Sequence, residues 1–458
     1  MATLTLPDRR AVPAPRTRAV GGTYVTGLLA LIGALILAMW VRHGGLAQFG
    51  TMAGALTGIG QITALLGAYG ALLQLVLMSR SPWLEQVFGM DRLAWAHRWL
   101  GFTTILLLAG HGVFTTVGYA LGDRSPVLVE AWTLLTTYPF VLMATVGFGL
   151  FVAVGVTSVR IARRRLSYET WHAVHLYAYL AIALGFAHQL VVGADFIDDP
   201  VARIFWITLY VATAALVLTF RFGAPIRMSL RHRLRVANVV TEAPGVVSMY
   251  LTGRDLGDLA VRSGQYFVVR FLTRDAWWRG HPFSISAAPN GSWLRFTVKD
   301  LGDDSRWIAS IPVGTRVYLE GPYGVLTGAR RTQRRVAFIA GGIGITPLRA
   351  MLEDMPAGRG DLALIYRAAR HEDIVFRSEL DALALDRGAV VHYLVGHRGS
   401  RDLPAEPLGA GMILGLIPDI AERDVFVCGP DGLMTAVERA LRSIGLPAAR
   451  IHAERFTY

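Results

Sequence analysis

Five histidines stand in two apolar stretches: His97 and His111 bound HRWLGFTTILLLAGH, and His172, His175 and His188 lie in YETWHAVHLYAYLAIALGFAHQL. Imidazole in hydrocarbon costs free energy unless something there binds it, so such residues point to a ligand. His97 and His111 are 14 residues apart, about 21 Å of rise on an ideal helix and within roughly 40° of one face. His175 and His188 fall at matching depths in the other stretch. Paired as His97 with His175 and His111 with His188, they can grip two irons from opposite sides, which is bis-histidine haem ligation twice over. His172, one turn from His175, is a substitute ligand only, since Trp171 and Tyr168 mark an interfacial belt. A spacing of 13 leaves His175 and His188 about 140° apart on an ideal helix, which predicts a distorted helix or rotated haems. Arg98, beside His97, is placed to pair a haem propionate or to snorkel to headgroups.

Such ligands need membrane helices to hold them. The chain has 458 residues, 53% of them hydrophobic, and the apolar ones concentrate in six runs, near 23–41, 51–79, 94–120, 131–159, 168–192 and 201–220. Each reaches the ~20 residues of a spanning helix. Arginines cluster before the first run (Arg9, Arg10, Arg16, Arg18), after the fourth (Arg160, Arg163 to Arg165) and after the sixth (Arg221 to Arg235), all on one side. The opposite loops carry Asp123, Glu130, Asp195, Asp198 and Asp199, so the positive-inside rule expects the N-terminus and everything after residue 221 in the cytoplasm, with the spans in the plasma membrane. The net charge of +12 is then mostly topology and not nucleic-acid binding, because these arginines flank apolar spans instead of interleaving with aromatics on a soluble face. The basic first 22 residues and the uncleaved pattern of the first run argue against a removed signal peptide. A single cysteine, Cys428, excludes an intrachain disulfide and any cysteine-ligated iron–sulfur or zinc cluster.

After Arg235 the pattern becomes short alternating segments between turns such as APG, PNGS and PVG, the mark of a β domain. In WLRFTVKD, Leu294, Phe296 and Val298 point one way and Arg295, Thr297 and Lys299 the other, as in a half-buried strand. From Arg334 the period changes again. RRVAFIAGGIGITPLRAMLEDM reads as a buried strand, a glycine turn whose backbone N–H groups suit a phosphate, and a helix. The strands ALIYRAAR, VVHYLVGH and DVFVCGPDGLM continue an α/β sheet. Arg367 and Arg370 follow its second strand, where a dinucleotide's 2′ position lies, so they favour NADPH while leaving NADH open.

These features together resemble the fused ferric reductases and NADPH oxidases, bacterial type, over nearly the whole chain from about residue 23 to 458. The resemblance implies a multidomain membrane protein: a basic cytoplasmic tail at 1–22, a six-helix haem-binding transmembrane bundle at 23–222, an antiparallel β-barrel FAD domain at 228–328 and an α/β nucleotide-binding domain at 334–458. HPFSIS is similar to the family's flavin motif in its oxidase form, assigning His281, Pro282, Phe283 and Ser284 to FAD. Lys299 with Gly302, Asp303, Asp304 and Ser305 matches the place where the family neutralises the FAD pyrophosphate. GGIGITP (Gly341, Gly342, Gly344, Thr346, Pro347) and CGP (Cys428, Gly429, Pro430) resemble the nicotinamide-dinucleotide elements, with Cys428 near the nicotinamide. In HAERFTY, Glu454 and Phe456 match the terminal Glu-x-aromatic whose ring covers the flavin, although Tyr458 competes for that role because two residues follow.

The implied activity is electron transfer from cytoplasmic NADPH through FAD and two b-type haems to an outer acceptor: a ferric chelate, dioxygen or an unknown protein. Thr115 stands where oxidases of the family tend to carry a further histidine. Two other classes compete: a cytoplasmic NAD(P)H:flavin reductase merely anchored by its spans, and a haem-binding sensor or transporter, whose expected intramembrane charges and broken spans are missing.

Overall fold

The computed structural model describes residues 16–159, 163, 165, 166, 168–193, 197, 199–300, 302, 307–399 and 403–454. Two compact units form. The membrane unit comprises Val20–Leu84 and Arg92–Arg221; the other, chiefly Phe222–Tyr458, also takes in Glu85–Asp91 from between the second and third spans.

The first helices are α1 (Arg16–Arg42), α2 (Met52–Leu77), the short α3 (Pro82–Phe88), α4 (Met90–Gly122), α5 (Val127–Thr137), α6 (Val141–Ser158), α7 (Tyr168–Val192), α8 (Pro200–Val217) and α9 (Ala224–His232). Among the described residues, six helices are long and apolar enough to cross a membrane: α1, α2, α4, α6, α7 and the run from α8 through a π turn into α9. The fourth apolar run, 131–159, is not one helix. Pro139 disfavours helical backbone at Tyr138, which is extended at φ −83° and ψ 129°, so α5 stops and α6 restarts after Phe140 at φ 62°. The sixth run extends past residue 220, because polar and basic residues continue a helix as readily as apolar ones.

Small residues set the spacing of α2 and α4. A Cβ at Gly70 would come within 2.6 Å of Thr104 Oγ1, at Gly67 within 2.8 Å of Leu108 Cδ2, and at Gly60 would overlap Thr115 Oγ1. Such glycine stripes let membrane helices approach backbone to backbone. Likewise α6 meets α7 where a Cβ on Gly147 would lie 3.0 Å from the Ala181 carbonyl. Gly60→Val should therefore lower the thermal midpoint of the detergent-solubilised protein, read by tryptophan fluorescence. Overpacking of about 2 kcal/mol corresponds to roughly 4–8 °C. Gly149→Val, with nothing within 4 Å of its Cβ, should leave the midpoint unchanged.

The second unit has two lobes. In the first, β1 (Arg235–Ala243), β2 (Val246–Thr252), β3 (Tyr266–Phe271), β4 (His281–Ser284), β5 (Trp293–Lys299) and β6 (Val317–Tyr323) form two antiparallel three-stranded sheets, ordered β1-β2-β5 and β4-β3-β6. They enclose a core of Phe267, Phe271, Phe296, Leu319 and neighbours. The expected closed barrel is not formed. The two seams are joined by single bridges, Arg235 to Arg316 and Ile285 to Phe296, with a few backbone hydrogen bonds beside them, such as the Val317 N–H to the Leu234 carbonyl at 2.9 Å and the Ser286 N–H to the Arg295 carbonyl at 2.8 Å, and with Ser286 Oγ 2.7 Å from Thr297 Oγ1 and 3.2 Å from the Arg295 carbonyl. Nor is β5 half-buried: Arg295 and Thr297 are as hidden as Phe296, because polar partners cover that face.

The second lobe contains β7 (Val336–Gly341), α10 (Ile345–Asp354), β8 (Leu362–Ala368), α11 (Arg377–Arg387), β9 (Val390–Val395), α12 (Ala410–Leu416), β10 (Asp424–Cys428), α13 (Asp431–Ser443) and β11 (Ile451–Ala453). Its sheet is wholly parallel, ordered β11-β10-β7-β8-β9. Hydrophobic cores cover both faces, which is why β7 and β10 are continuous apolar runs without alternation.

Candidate functional site

In the membrane unit, α4 and α7 present their histidines to each other. His97 and His175 have ring centroids 5.9 Å apart, and His111 and His188 6.4 Å apart. Two imidazoles bonded to one iron through bonds of about 2 Å each place their centroids roughly 6 Å apart, so both pairs have the separation an axially ligated iron requires. The expected distortion of the helix is not needed. α7 runs unbroken through both histidines, and staggered side-chain rotamers, about 120° apart, are enough to offset such an angular mismatch. His111 Nδ1 lies 3.0 Å from the Gly60 carbonyl and 3.2 Å from Thr115 Oγ1. With its proton on Nδ1 donated to Gly60, the ring keeps the Nε2 lone pair for a metal. At the other depth, Ser158 Oγ is 3.4 Å from His175 Nδ1, and the His175 ring packs 5.0 Å from Trp171. His172 neighbours Trp171 at 6.4 Å and belongs to neither facing pair. His188 Nδ1 is buried without a hydrogen-bond partner.

In the first lobe of the second unit, β4 carries the HPFS motif. The His281 and Phe283 rings are parallel, with centroids 5.9 Å apart, Pro282 between them is half-buried, and Ser284 is buried. Lys299 ends β5 with Nζ 3.5 Å from Asp373 Oδ1. Gly302 sits at φ +147°, with its N–H donating to Asp300 Oδ1 at 3.1 Å. Ser305, Phe456 and Tyr458 lie outside the described residues.

The two dinucleotide motifs meet at the ends of β7 and β10. A Cβ on Gly344 would overlap the Cys428 carbonyl, and one on Gly429 would be 3.2 Å from Gly341 Cα. Gly342, at φ +53°, has open space where a side chain would be, so the turn offers bare backbone to a ligand. Thr346 turns inward, its hydroxyl donating to the Ile343 carbonyl at 3.0 Å, and Pro347 is buried beside it; Pro430 leads into α13. Cys428 is fully buried, and burial followed by the nearby Glu454 carboxylate pushes its thiol up to about 12, so it is a neutral thiol. Arg367 spends its guanidinium on the carbonyls of Ala368, Leu394 and Gly396. Arg370 is exposed and pairs with Asp373 at 3.2 Å and Glu372 at 2.6 Å. Of the two, Arg370 alone keeps an exposed face for a phosphate.

Two features escaped the sequence. Glu85, from the segment between α2 and α4, accepts the Gly324 N–H at 2.6 Å, beside Glu454, whose Oε2 accepts the Leu326 N–H at 3.3 Å. The buried Arg295 and Arg349 and the part-exposed Glu353 and Glu379 form an ion network between the lobes. No sequence signal marked the network, because alternation in WLRFTVKD groups Arg295 with Thr297 and Lys299 on an outward polar face.

Residues 63–186 match the ferric reductase like transmembrane component, and residues 338–439 the oxidoreductase NAD-binding domain. The ferredoxin reductase component of 3-ketosteroid-9-alpha-monooxygenase from Mycolicibacterium smegmatis is 32% identical over 237 residues, covering 49% of this chain and 65% of that protein. The glycine betaine monooxygenase reductase subunit of Chromohalobacter salexigens is 29% identical, over 49% of this chain and 64% of that protein. The chain thus spans somewhat less than two thirds of the length of these two relatives. Ferredoxin–NADP reductase B of Sorangium cellulosum is 30% identical over 190 residues, covering 38% of this chain and 77% of that protein. With both domain matches on one polypeptide, the chain belongs to the ferredoxin-reductase-type oxidoreductases and joins to that domain a transmembrane part similar to the ferric reductase like transmembrane component.

Proposed function

We propose that the protein moves electrons from cytoplasmic NADPH across the membrane to an acceptor on its outer face, a ferric chelate or dioxygen. The observation that carries this reading is the pair of facing histidine couples, His97 with His175 and His111 with His188, at two depths of one membrane unit. When bound, FAD supplies the conversion of a hydride into single electrons, and two b-type haems carry them one at a time through the low-dielectric interior.

The chain's own residues bind, orient and insulate. His281, Pro282, Phe283 and Ser284 hold the flavin, and Lys299 with the Gly302 turn faces its pyrophosphate. Gly341, Gly342, Gly344, Gly429 and Pro430 form the dinucleotide cradle, and Arg370 takes the 2′-phosphate. Gly60 fixes the tautomer of His111 through its carbonyl. The arginines after the fourth and sixth spans keep the reductase unit on the cytoplasmic side.

Visible spectra of the anaerobic, detergent-purified protein test the relay. NADPH should develop most of the haem signal that dithionite develops. Haem that NADPH leaves oxidised would break the link between the two halves, and flavin without haem would leave only an anchored flavin reductase. Ferric citrate and dioxygen, supplied separately to the reduced protein, separate the two acceptors by their reoxidation rates.

A further inference from the structure

Arg295 of β5 has only 3% of its side chain accessible, yet it carries a full charge. Its Nη1 and Nη2 donate to the two oxygens of Glu379 at 2.8 and 3.0 Å. Nη2 also donates to the Ser286 carbonyl at 2.6 Å, Nε to Ser286 Oγ at 3.2 Å, and the guanidinium lies 4.5 Å from the centre of the Phe376 ring. The same Glu379 carboxylate receives Arg349 Nη2 at 2.9 Å. Arg349 pairs in turn with Glu353, whose Oε2 accepts the Ala288 N–H at 2.6 Å. Two cations and two anions are thus closed into one network, with Glu379 at its centre.

The attachment points matter more than the charges. Ser286 and Ala288 lie two and four residues beyond Ser284, the end of the flavin motif. Arg349 and Glu353 stand on α10, which begins immediately after the glycine turn of the dinucleotide cradle. Glu379 is in the first turn of α11. Each end of the network therefore grips an element that shapes one of the two cofactor sites. A buried ion pair contributes little net stability, because the desolvation of both partners offsets their attraction. A bidentate guanidinium–carboxylate contact does fix distance and angle in a way that apolar packing does not.

We propose that Glu379 is a positioning residue: by holding Arg295 of the flavin lobe and Arg349 of the nucleotide lobe on one carboxylate, it sets the register between flavin motif and dinucleotide turn, and with it the geometry of hydride transfer. The role rests on the NADPH-to-FAD reading above. A displacement of about 1 Å between reacting groups can cost about 10²-fold in rate, and Gln at position 379 keeps the shape while removing the charge that clamps both arginines.

The test uses the full-length, FAD-loaded protein in detergent with Glu379→Gln and Glu379→Asp. Stopped-flow flavin reduction by NADPH is followed together with the long-wavelength absorbance of nicotinamide stacked on flavin. Glu379→Gln should lower the limiting reduction rate by about 10- to 100-fold and weaken the stacking band, with FAD content and the half-saturating NADPH concentration unchanged. Glu379→Asp, which keeps the charge, should recover part of both. A limiting rate and band equal to wild type in Glu379→Gln overturn the proposal, and so does a loss that follows FAD release or unfolding in both variants, which is a structural role only. Wild-type flavin that neither NADPH nor NADH reduces would overturn the functional reading and this role with it; wild-type reduction matched by the variant removes this role alone.

Discussion

Replacing His111 or His188 by alanine is expected to abolish reduction of an acceptor on the far side of the membrane while leaving reduction of the bound flavin by NADPH intact. The two rings face each other at 6.4 Å with no other histidine within their pairing. On the proposed reading, removing one leaves a haem iron held from one side only. Loss of a mere outer-shell partner of a metal ligand typically costs 10- to 100-fold in affinity or activity, so loss of the ligand itself should cost about 10²-fold or more. Haem content, measured as pyridine haemochrome against protein, should fall from two per chain toward one. Flavin reduction should persist, because the dinucleotide and flavin motifs lie in the other compact unit. If external ferric chelate is still reduced at the wild-type rate by His111→Ala and His188→Ala, the histidines are structural and the protein is an anchored flavin reductase. His172→Ala, which removes a ring outside both facing pairs, should change neither haem content nor rate.

The histidine pairing was legible because it depends on depth, and depth follows from counting residues at a fixed helical rise. The angular objection to His175 and His188 failed because a helical wheel places Cβ atoms, whereas an imidazole reaches its partner through two further torsions. The same limit explains Arg295. Alternation along WLRFTVKD assigns it to an outward face, and only the arrival of Glu379, 84 residues later in the chain, makes that face interior. The fourth apolar run was misread for the opposite reason, since hydropathy continues through Tyr138 to Phe140 while the backbone does not. The two-sheet flavin lobe was read as closed because a family likeness carries strand order but not the seam contacts, which here depend on Ser286 and Thr297. Glu85 was illegible altogether, because nothing in PWLEQVF announces a partner at Gly324.

The Glu85 contact leads to the second large effect, a dependence of stability on pH that acts through Glu454. This side chain is 4% exposed, and burial, with the carboxylates of Asp91 and Glu85 nearby, raises its carboxyl from 4.5 to about 7. The folded protein therefore keeps a proton that the unfolded chain loses between about pH 4.5 and 7. Where the folded state binds more protons, stability falls as pH rises. The decline should begin near pH 4.5, total about 3 kcal/mol at roughly 1.4 kcal/mol per pH unit, and level off above pH 7. Glu454→Gln keeps an oxygen for the Leu326 N–H but has no proton to lose. The variant should match wild type near pH 5 and exceed it at pH 8 by up to that amount, read as the unfolding midpoint of the full-length protein in detergent. Equal stability differences at the two pH values would falsify the assignment. A further substitution, Glu85→Gln, should reduce the wild-type decline without removing it, because burial, the largest cause of the shift, stays in place. The ordering of these two variants separates burial from like-charge repulsion. That separation bears on the proposed function, in which Cys428 lies near the nicotinamide, because Glu454 adds to the upward shift of the buried Cys428 thiol.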